Sequence, residues 1–329
     1  MSQSTLEQFG LNRPESGDDV AVPFALETLD SRGRVVRLGD ALDTIISRHG
    51  YPEPVARLLG EATTLAALIG SSLKFEGRFI LQSRTDGPVS LLVVDFDTPD
   101  GLRAYARYDA ETIEKAAAEG RASPAELLGK GILALTVDQG VHMDRYQGIV
   151  ELGGDDGLEE VAHTYFLQSE QIPTRVRLAV AEYSERGTPG SCWRAGGVLL
   201  QHLPESGTPH MADLPGDGDF ANEQTADPDF VEDDSWTEAR ALLDTVTDAE
   251  LADPDLSAER LLFRLYHETG VRVFEPQILL ERCTCSAERV EQMIYDFTPE
   301  DRAEMVVDGQ IEVVCEFCST HYHFNPNQF

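Results

Sequence analysis

The stretches "ERCTCSAERV" (residues 281–290) and "VVCEFCSTHYHF" (residues 313–324) hold four of the five cysteines in a chain of 329 residues. These are Cys283, Cys285, Cys315 and Cys318. A C-x-C motif followed thirty residues later by a C-x-x-C motif can bring four thiolates around one tetrahedral metal ion. Zinc is the usual metal for four sulfur ligands. The spacing therefore predicts one Zn²⁺ site formed by all four cysteines.

The segment 280–329 that carries these motifs is too short to fold around an apolar core of its own. Its pattern predicts an approach strand, helices at "SAERVEQMIYDF" and "TPEDRAEM", and a strand "QIEVV" that leads to Cys315. In such a unit the free energy of zinc binding, about 10–16 kcal/mol, becomes folding free energy. Loss of the metal is therefore expected to unfold it.

The metal site can be permanent scaffolding or a redox switch, and the sequence pattern leaves both open. In an extended C-x-C segment the two Cα atoms lie roughly 5–7 Å apart, near the outer limit for a disulfide. A bond between Cys283 and Cys285 would therefore be strained and easily reduced. Bound zinc keeps sulfur as thiolate, which is the form that oxidants attack. One constellation thus allows a metal-bound, folded state and a disulfide-bonded, metal-free state.

Neighbouring residues add little to this site. Four thiolates complete a tetrahedral shell, so His321 and His323 are expected to be packing or surface groups, and a catalytic zinc is disfavoured. Cys192 stands alone beside Trp193 and is expected to be a packed thiol. The sequence contains no nucleophile-elbow, Walker or dinucleotide-binding motif, so it does not predict an enzyme.

Charge and hydropathy restrict the partners and the location. The formal net charge is -33 at pH 7, which would repel phosphate backbones, so a nucleic-acid partner is not expected. The longest apolar helical stretch, 63–73, is too short to cross a bilayer. The amino terminus does not read as a signal peptide. The expected location is the cytoplasm, with no membrane partner.

The first 203 residues predict an α+β domain with a large mixed sheet and helix core. Two strands are expected within 22–38, on either side of a turn at Ser31, Arg32 and Gly33, followed by helices over 38–50 and 54–73. Alternating strands and short helices then continue to residue 203. We take this core domain as 1–203 and the cysteine unit as 280–329.

Residues 204–279 are expected to form an acidic, partly helical linker. The stretch 204–230 is rich in proline, glycine and acidic residues, a composition typical of mobile chain. Helical patterns follow in "SWTEARALLDTV" and "SAERLLFRLYHETG", the second with Ser257 as N-cap. Isolated helices of this length are marginal in water. Their apolar faces must therefore pack on another part of the protein.

Six further stretches, together with the cysteine motifs, resemble the redox-regulated chaperones of the heat-shock protein 33 family. They are "GYPEPV" (50–55), "LKFEGRFILQSRTDGPVSLLVVDF" (73–96), "RYQGIVEL" (145–152), "YFLQSEQIPTR" (165–175), "GGVLLQ" (196–201) and "RLYHE" (264–268). The resemblance covers nearly the whole chain except the first twenty or so residues and the insertion near 204–230. The length and acidity of this linker depart from the family pattern.

The resemblance implies an ATP-independent holdase that is inactive when reduced and zinc-bound. Oxidants are then expected to form disulfides Cys283–Cys285 and Cys315–Cys318, release zinc and unfold the linker. The oxidised protein, expected as a homodimer, would bind unfolding client proteins. The alternative from the residues is a zinc-ribbon adaptor with a permanent metal, whose acidic tail binds a basic partner.

Overall fold

The computed structural model describes residues 15–73, 76–140, 145–184, 190–203 and 233–329. The predicted mobile stretch 204–230 lies outside these ranges. Within them the chain folds into two large sheets, one small sheet and helices, which confirms the predicted α+β class. None of the described helices is long and apolar enough to span a membrane.

The described residues form fifteen strands, which pair into three sheets. They are β1 (Val20–Leu26), β2 (Ser31–Leu38), β3 (Arg78–Thr85), β4 (Val89–Asp97), β5 (Gly101–Tyr108), β6 (Lys130–Asp138), β7 (Tyr146–Gly153), β8 (Thr174–Tyr183), β9 (Cys192–His202), β10 (Arg272–Val273), β11 (Gln277–Ile278), β12 (Leu280–Glu281), β13 (Val306–Val307), β14 (Gln310–Val314) and β15 (His321–Phe324). In the described residues the first sheet has the order β10-β1-β2-β9-β8, with β11 also paired to β1. The second has the order β12-β5-β4-β3-β6-β7, and the third β13-β14-β15.

The helices cover and separate these sheets. They are α1 (Asp40–Ser47), α2 (Glu53–Gly70), α3 (Ala110–Ala118), α4 (Pro124–Leu128), α5 (Leu158–Tyr165), α6 (Asp234–Leu243), α7 (Asp248–Ala252), α8 (Ala258–Tyr266), α9 (Ala287–Tyr295) and α10 (Pro299–Glu304). A π-helical turn at Phe166–Glu170 extends α5. The long helix expected over 54–73 is α2, and it begins with Pro54 in its first turn, where a missing N–H is tolerated.

Helix α2 forms the centre of the core because it packs between the two large sheets. Two glycines allow close approach on its faces: a Cβ at Gly60 would lie 2.9 Å from Val180, and one at Gly70 would lie 2.6 Å from the Phe96 ring. The buried hydroxyl of Thr64 donates to the carbonyl of Gly60 inside the helix, so no polar group is stranded.

The turn between β1 and β2 lies earlier than predicted. The chain turns through Glu27–Leu29, and Asp30 adopts the left-handed region with φ 41°. Gly33, expected in the turn, instead lies within β2. A Cβ there would meet the ring of Phe24 and the carbonyl of Leu199, each at 2.4 Å, so glycine serves packing at this position. Local turn chemistry predicted the hairpin but not this contact.

The predicted linker helices pack on the face of the first sheet that α2 does not cover. Buried side chains of α6, α7 and α8 form a second apolar cluster with this face, including Leu243, Leu251 and Leu262. Tyr266 stacks on Phe24 of β1 at 6.1 Å between ring centroids. The helices thereby obtain the burial that their short length cannot supply alone.

Two buried arginines of the sheet also hold the linker. Arg194 donates to the carbonyl of Ala252, the last residue of α7, at 3.3 Å, and Arg37 donates to the carbonyl of Asp253, which follows it. Asp18 pairs with Arg194 at 2.6 Å and with Arg37 at 3.4 Å. Guanidinium groups therefore bind carbonyl oxygens at the C-terminal end of α7, where acceptors are left without intrahelical partners.

Replacing Leu262 with alanine should loosen the linker from the sheet. Leu262 is fully buried in the second cluster, so Leu262→Ala should lower the free energy of unfolding by about 2–5 kcal/mol and speed hydrogen exchange in α6–α8. Leu167→Ala, at a side chain that is 69% exposed, is the matched control and should change it by less than about 0.5 kcal/mol. Equal effects of the two substitutions would contradict this packing role.

Burial and the nearby carboxylates of Glu159 and Asp248 raise the pKa of Glu61 on α2 from 4.5 to about 8. The folded chain thus binds this proton more tightly than the unfolded chain, so its stability falls as pH rises through this interval. At about pH 8.5 the Glu61 carboxyl must ionise in a buried place, and Glu61→Gln removes this cost. The substitution should therefore change the free energy of unfolding more favourably at pH 8.5 than near pH 5, by on the order of 1–3 kcal/mol. Exposed Glu53→Gln is the control in denaturant titrations, and a pH-independent difference for Glu61→Gln would argue against this role.

The cysteine unit contains the helices α9 and α10 and the sheet β13-β14-β15. The predicted strand "QIEVV" is β14, and both predicted helices are present. Sequence reasoning missed β13 and β15, which flank β14 as short antiparallel partners. Ile294 and Ile311 are its fully buried apolar side chains. So small a core agrees with the expected need for a second source of stability.

Candidate metal centre

The two cysteine motifs meet at one point. The Sγ atoms of all four cysteines lie within 4.8 Å of one another. Cys283 Sγ is 3.7 Å from Cys315 Sγ, and Cys285 Sγ is 3.4 Å from Cys318 Sγ. A tetrahedral site with metal–sulfur distances of about 2.3 Å has sulfurs about 3.8 Å apart. The cluster can therefore hold one metal ion, and its donor set suits zinc.

Local structure explains why the thiols converge. The C-x-C motif follows β12, and the side chain of Ser286 then caps α9 by accepting from the N–H of Arg289. The C-x-x-C motif lies in the turn between β14 and β15, closed by bonds between Cys315 N and Thr320 O and between Ser319 N and Cys315 O. Ser319 adopts φ 53°, which completes this tight turn.

Hydroxyl groups on β15 and its approach supply hydrogen bonds to sulfur. Tyr322 Oη donates to Cys285 Sγ at 3.1 Å, and Thr320 Oγ1 lies 3.1 Å from Cys318 Sγ. Burial opposes ionisation of Cys318, but hydrogen bonds from Thr320 and from the thiols of Cys285 and Cys315 together outweigh it and lower the pKa of that thiol to about 7. Burial raises the pKa of the other three cysteines. Cys318 is therefore the thiol most easily ionised in this cluster.

The cysteine unit is joined to the core by strand pairing. β12 lies parallel to β5 at the edge of the second sheet, with Leu280 opposite Gly101 and Glu281 opposite Leu102. Arg48, just after α1, binds the Glu281 carboxylate through two nitrogens, at 2.5 and 3.0 Å. A bidentate pair of this kind fixes orientation as well as position. The residues that lead into Cys283 are thus part of a core sheet.

Arg103 of β5 contacts both halves of the thiol cluster. Its Nη1 donates to Thr284 Oγ1 at 2.9 Å, between the cysteines of the first motif. Its guanidinium carbon lies 4.1 Å from the ring centroid of Phe317, between the cysteines of the second motif. Its Nε donates to the buried carboxylate of Asp95 at 2.8 Å, which orients the side chain. One core residue therefore holds both motifs in register.

His49 makes a second connection to the C-x-x-C turn. Its Nε2 donates to the carbonyl of Phe317 at 3.1 Å, and its Nδ1 accepts from the hydroxyl of Ser319 at 3.1 Å. Its ring also stacks near Tyr51, with centroids 5.0 Å apart. These bonds hold the C-x-x-C turn against the segment that follows α1.

The other candidate residues lie outside the thiol cluster. His321 and His323 are on β15, and His321 Nδ1 pairs with Glu312 at 2.7 Å. Neither belongs to the group of side chains whose ligand atoms meet. Cys192 begins β9 and is half-buried, and burial raises the pKa of its thiol. This agrees with a packed thiol apart from the metal centre.

Sequence reasoning missed the core residues that contact the cysteine unit beside its thiols: Arg48, His49 and Arg103. They precede the motifs by well over a hundred residues, so no local spacing relates them. The one available signal was alternation in "LRAYARYD", which puts Arg103, Tyr105 and Arg107 on one face of β5. A polar row on a central strand indicates a surface with a function, but not its partner.

Comparison with known proteins identifies the family. Residues 19–325 match the family model described as Hsp33 protein. The chain belongs to the Hsp33 family. A relative named 33 kDa chaperonin from Caulobacter vibrioides is 47% identical over 318 residues, covering 95% of this chain and 97% of its own. Another of the same name, from Pseudomonas fluorescens, is 38% identical and covers 93% of this chain and 91% of its own. The predicted family is thus confirmed, and it is one of chaperones rather than enzymes.

A solved structure shares the Hsp33 fold. The 33 kDa chaperonin of Thermotoga maritima superposes with a TM-score of 0.71 at 20% identity, covering 94% of this chain and 96% of that one. At this level of identity the likeness concerns the fold.

Substitution of Arg103 should weaken the connection between the core and the thiol cluster. Arg103→Gln removes the contacts to Thr284 and Phe317 and leaves Asp95 buried with less compensation, a loss of about 3–5 kcal/mol for a buried pair. With Zn²⁺ added as the probe metal, we expect faster metal transfer to a chromophoric chelator and faster hydrogen exchange in β12.

Arg107→Gln is the matched control, because its ion pair with Glu316 is 57% exposed on both sides and should contribute less than about 1 kcal/mol. Equal rates of metal transfer in the two variants would show that Arg103 does not hold the cluster.

Proposed function

We propose that this protein is a redox-regulated, ATP-independent holdase whose cysteine cluster controls the exposure of apolar binding surface. The observation that carries the proposal is the convergence of all four thiols within 4.8 Å at a place joined to the core by Arg103 and β12. We assign residues 1–203 to the core, 204–279 to the linker and 280–329 to the switch unit. It places the protein in the cytoplasm.

The cysteines have the chemistry for two states. Zn²⁺, when bound to Cys283, Cys285, Cys315 and Cys318, holds the sulfurs as thiolates and joins the two motifs. On oxidation, two thiolates, one hydrogen peroxide and two protons yield one disulfide and two waters. Hypochlorous acid is reduced instead to chloride and water. We assign the disulfides as Cys283–Cys285 and Cys315–Cys318. Sulfurs in disulfides are poor metal ligands, so the metal leaves.

The assigned pairing is not the one with the shortest sulfur separations. The closest approaches join the two motifs, Cys283 to Cys315 and Cys285 to Cys318. This arrangement is what a tetrahedral thiolate cluster requires. Pairing within each motif leaves neither a disulfide nor a shared metal ion between them. That choice therefore releases the two halves of the unit from each other, whereas pairing across the motifs would keep them joined.

Loss of the cluster can reach the linker through the chain itself. β10 and β11, which return from α8 toward Cys283, pair with β1 on the edge of the first sheet. β12 pairs with β5 on the second sheet only a few residues before Cys283. When the cysteine unit unfolds, these pairings, each of two residue pairs, lose the anchor at their C-terminal side. Such short edge pairings are among the first parts of a fold to open.

Departure of the linker helices would expose apolar surface on both partners. The sheet face beneath them contains Val22, Phe24, Val35 and Leu200, all buried in the second cluster. An exposed apolar patch of this kind is suited to binding unfolding proteins, since they present apolar surface of their own. The large negative charge would keep the resulting complexes soluble. A homodimer of the oxidised form is part of the proposal.

Oxidant should release metal and start chaperone activity together. The zinc-loaded, reduced protein is treated with hypochlorous acid or with peroxide at elevated temperature. We expect about one zinc released per chain, loss of helical circular dichroism, and suppression of aggregation of a heated client. All three are measured on one sample.

Cys283→Ser should bind metal less tightly and expose client-binding surface without oxidant, whereas Cys192→Ser should behave as the unsubstituted chain. Zinc release with full disulfide formation but unchanged client aggregation would refute the holdase. Metal retention under the same oxidant, with a stable partner complex in the reduced state, would favour the zinc-ribbon adaptor.

A further inference from the structure

The outward face of the second sheet carries a row of side chains at one end. Arg84 of β3 lies opposite Leu91 of β4, and Leu91 lies opposite Arg107 of β5. Directly opposite residues in antiparallel strands point to the same face. The alternate residues on these strands, such as Leu92 and Ala106, are buried against α2. Arg84 and Arg107 therefore point away from the core, with two strand spacings, about 10 Å, between their backbones.

A cleft of about 580 Å³ opens at this end of the sheet. It is lined by Arg84, Thr85, Asp86, Ser90, Leu91, Arg107 and Lys130. Three of these are cations, and the chain has only 26 lysines and arginines against 59 aspartates and glutamates. Such a local concentration of positive charge is unexpected in so acidic a chain.

Two of the cations are not used by the fold. Within the ranges that the structure describes, no carboxylate lies at ion-pair distance from the side chains of Arg84 or Lys130. The one acidic side chain of the cleft, Asp86, accepts instead from the backbone N–H of Lys130 at 2.7 Å. Most other arginines of the core pair with a carboxylate, as Arg103 does with Asp95. The cleft thus presents cations whose charge is left for a ligand.

Backbone irregularity adds a further polar group at the same place. The pairing between β4 and β5 shifts register between Val89 and Leu91, so Ser90 is an extra residue at a β-bulge. A bulge residue is left out of the ladder, and here Ser90 lines the cleft, with its hydroxyl donating to the carbonyl oxygen of Arg107 at 3.5 Å. The hydroxyls of Thr85 and Ser90 donate to backbone carbonyls, so the cations are the groups of this cleft that can recognise phosphate oxygens.

We infer that this cleft binds a short oligophosphate. Three cations distributed over strands β3, β5 and β6 favour a ligand with several negative charges over a singly charged anion. Leu91 between the two arginines leaves no carboxylate to compete with the ligand at the centre of the row. The site is on the opposite face of the sheet from α2 and does not include any cysteine.

The site also touches the cysteine unit. Arg107 lines the cleft and forms an exposed ion pair at 3.0 Å with Glu316, which lies between Cys315 and Cys318. A bound oligophosphate would compete with Glu316 for this guanidinium. Ligand binding and docking of the cysteine unit therefore oppose each other, and by linkage each weakens the other to the same extent. The binding itself does not depend on the proposed redox function.

Calorimetric titration of the full-length, reduced and zinc-loaded protein at low ionic strength tests the inference. Inorganic tripolyphosphate should bind more tightly than orthophosphate. Arg84→Gln combined with Lys130→Gln should weaken tripolyphosphate binding about tenfold or more, since two charged contacts are lost. Glu316→Gln should tighten it, because Arg107 becomes free. Arg121→Gln combined with Arg145→Gln makes the same charge change at exposed sites outside the cleft and should have little effect.

Two ligand sources are distinguished by adding ATP as a third ligand. Equal binding of ATP and tripolyphosphate assigns the site to the phosphate chain from either source, and binding of tripolyphosphate alone assigns it to inorganic oligophosphate. Binding of ATP alone, absence of tripolyphosphate binding, or equal weakening by the two double substitutions would overturn the inference. Arg84→Gln alone repeats the comparison if the double variant has an altered melting curve.

Discussion

The guanidinium group of Arg103 is the contact on which the relation between core and cysteine unit depends. It is oriented by Asp95, donates to Thr284 and lies over Phe317. Thr284 lies between the two cysteines of the C-x-C motif, and Phe317 lies between the two cysteines of the C-x-x-C motif. A change in the geometry of either motif must therefore alter a contact with a buried core charge. Because buried charged groups tolerate loss of a partner poorly, this junction has few intermediate arrangements.

The linker helices depend on the core in a different way. Their own length would leave them marginal in water, and burial against β1, β2 and β9 stabilises them. Full burial of one leucine side chain contributes about 1.5–3 kcal/mol, so a few such contacts exceed what helix propensity supplies. The bonds from Arg37 and Arg194 to the end of α7 add direction to this apolar contact. The three short helices therefore cover this sheet face at one defined position, although no long helix or strand joins them to it.

The distribution of charge connects these features. Because acidic residues are in excess, most arginines have a carboxylate within reach. In the core, Arg78, Arg103 and Arg177 each form an ion pair with one. The junction with the cysteine unit uses it as well, through Arg48 with Glu281 and Arg282 with Asp100. Surface pairs of this kind contribute little stability individually and are weakened by salt. The buried pairs and the strand pairing of β12 therefore decide where the unit docks.

The sequence by itself determined the family, the α+β class, most helices and strands, and the cysteines that can form one metal site. Each follows from local pattern: thiol spacing, hydrophobic periodicity, and proline or serine at helix starts. Sequence reasoning misplaced the β1–β2 turn, because Gly33 is needed for close packing against the Phe24 ring and not for the turn. It also missed β13 and β15, which are too short to show an alternating pattern. Only the tertiary structure decided that Arg48, His49 and Arg103 contact the cysteine unit beside its thiols, and which face of the first sheet the linker covers. These contacts join residues far apart in the chain, and no periodicity or spacing within one segment records which distant segment will pack against it.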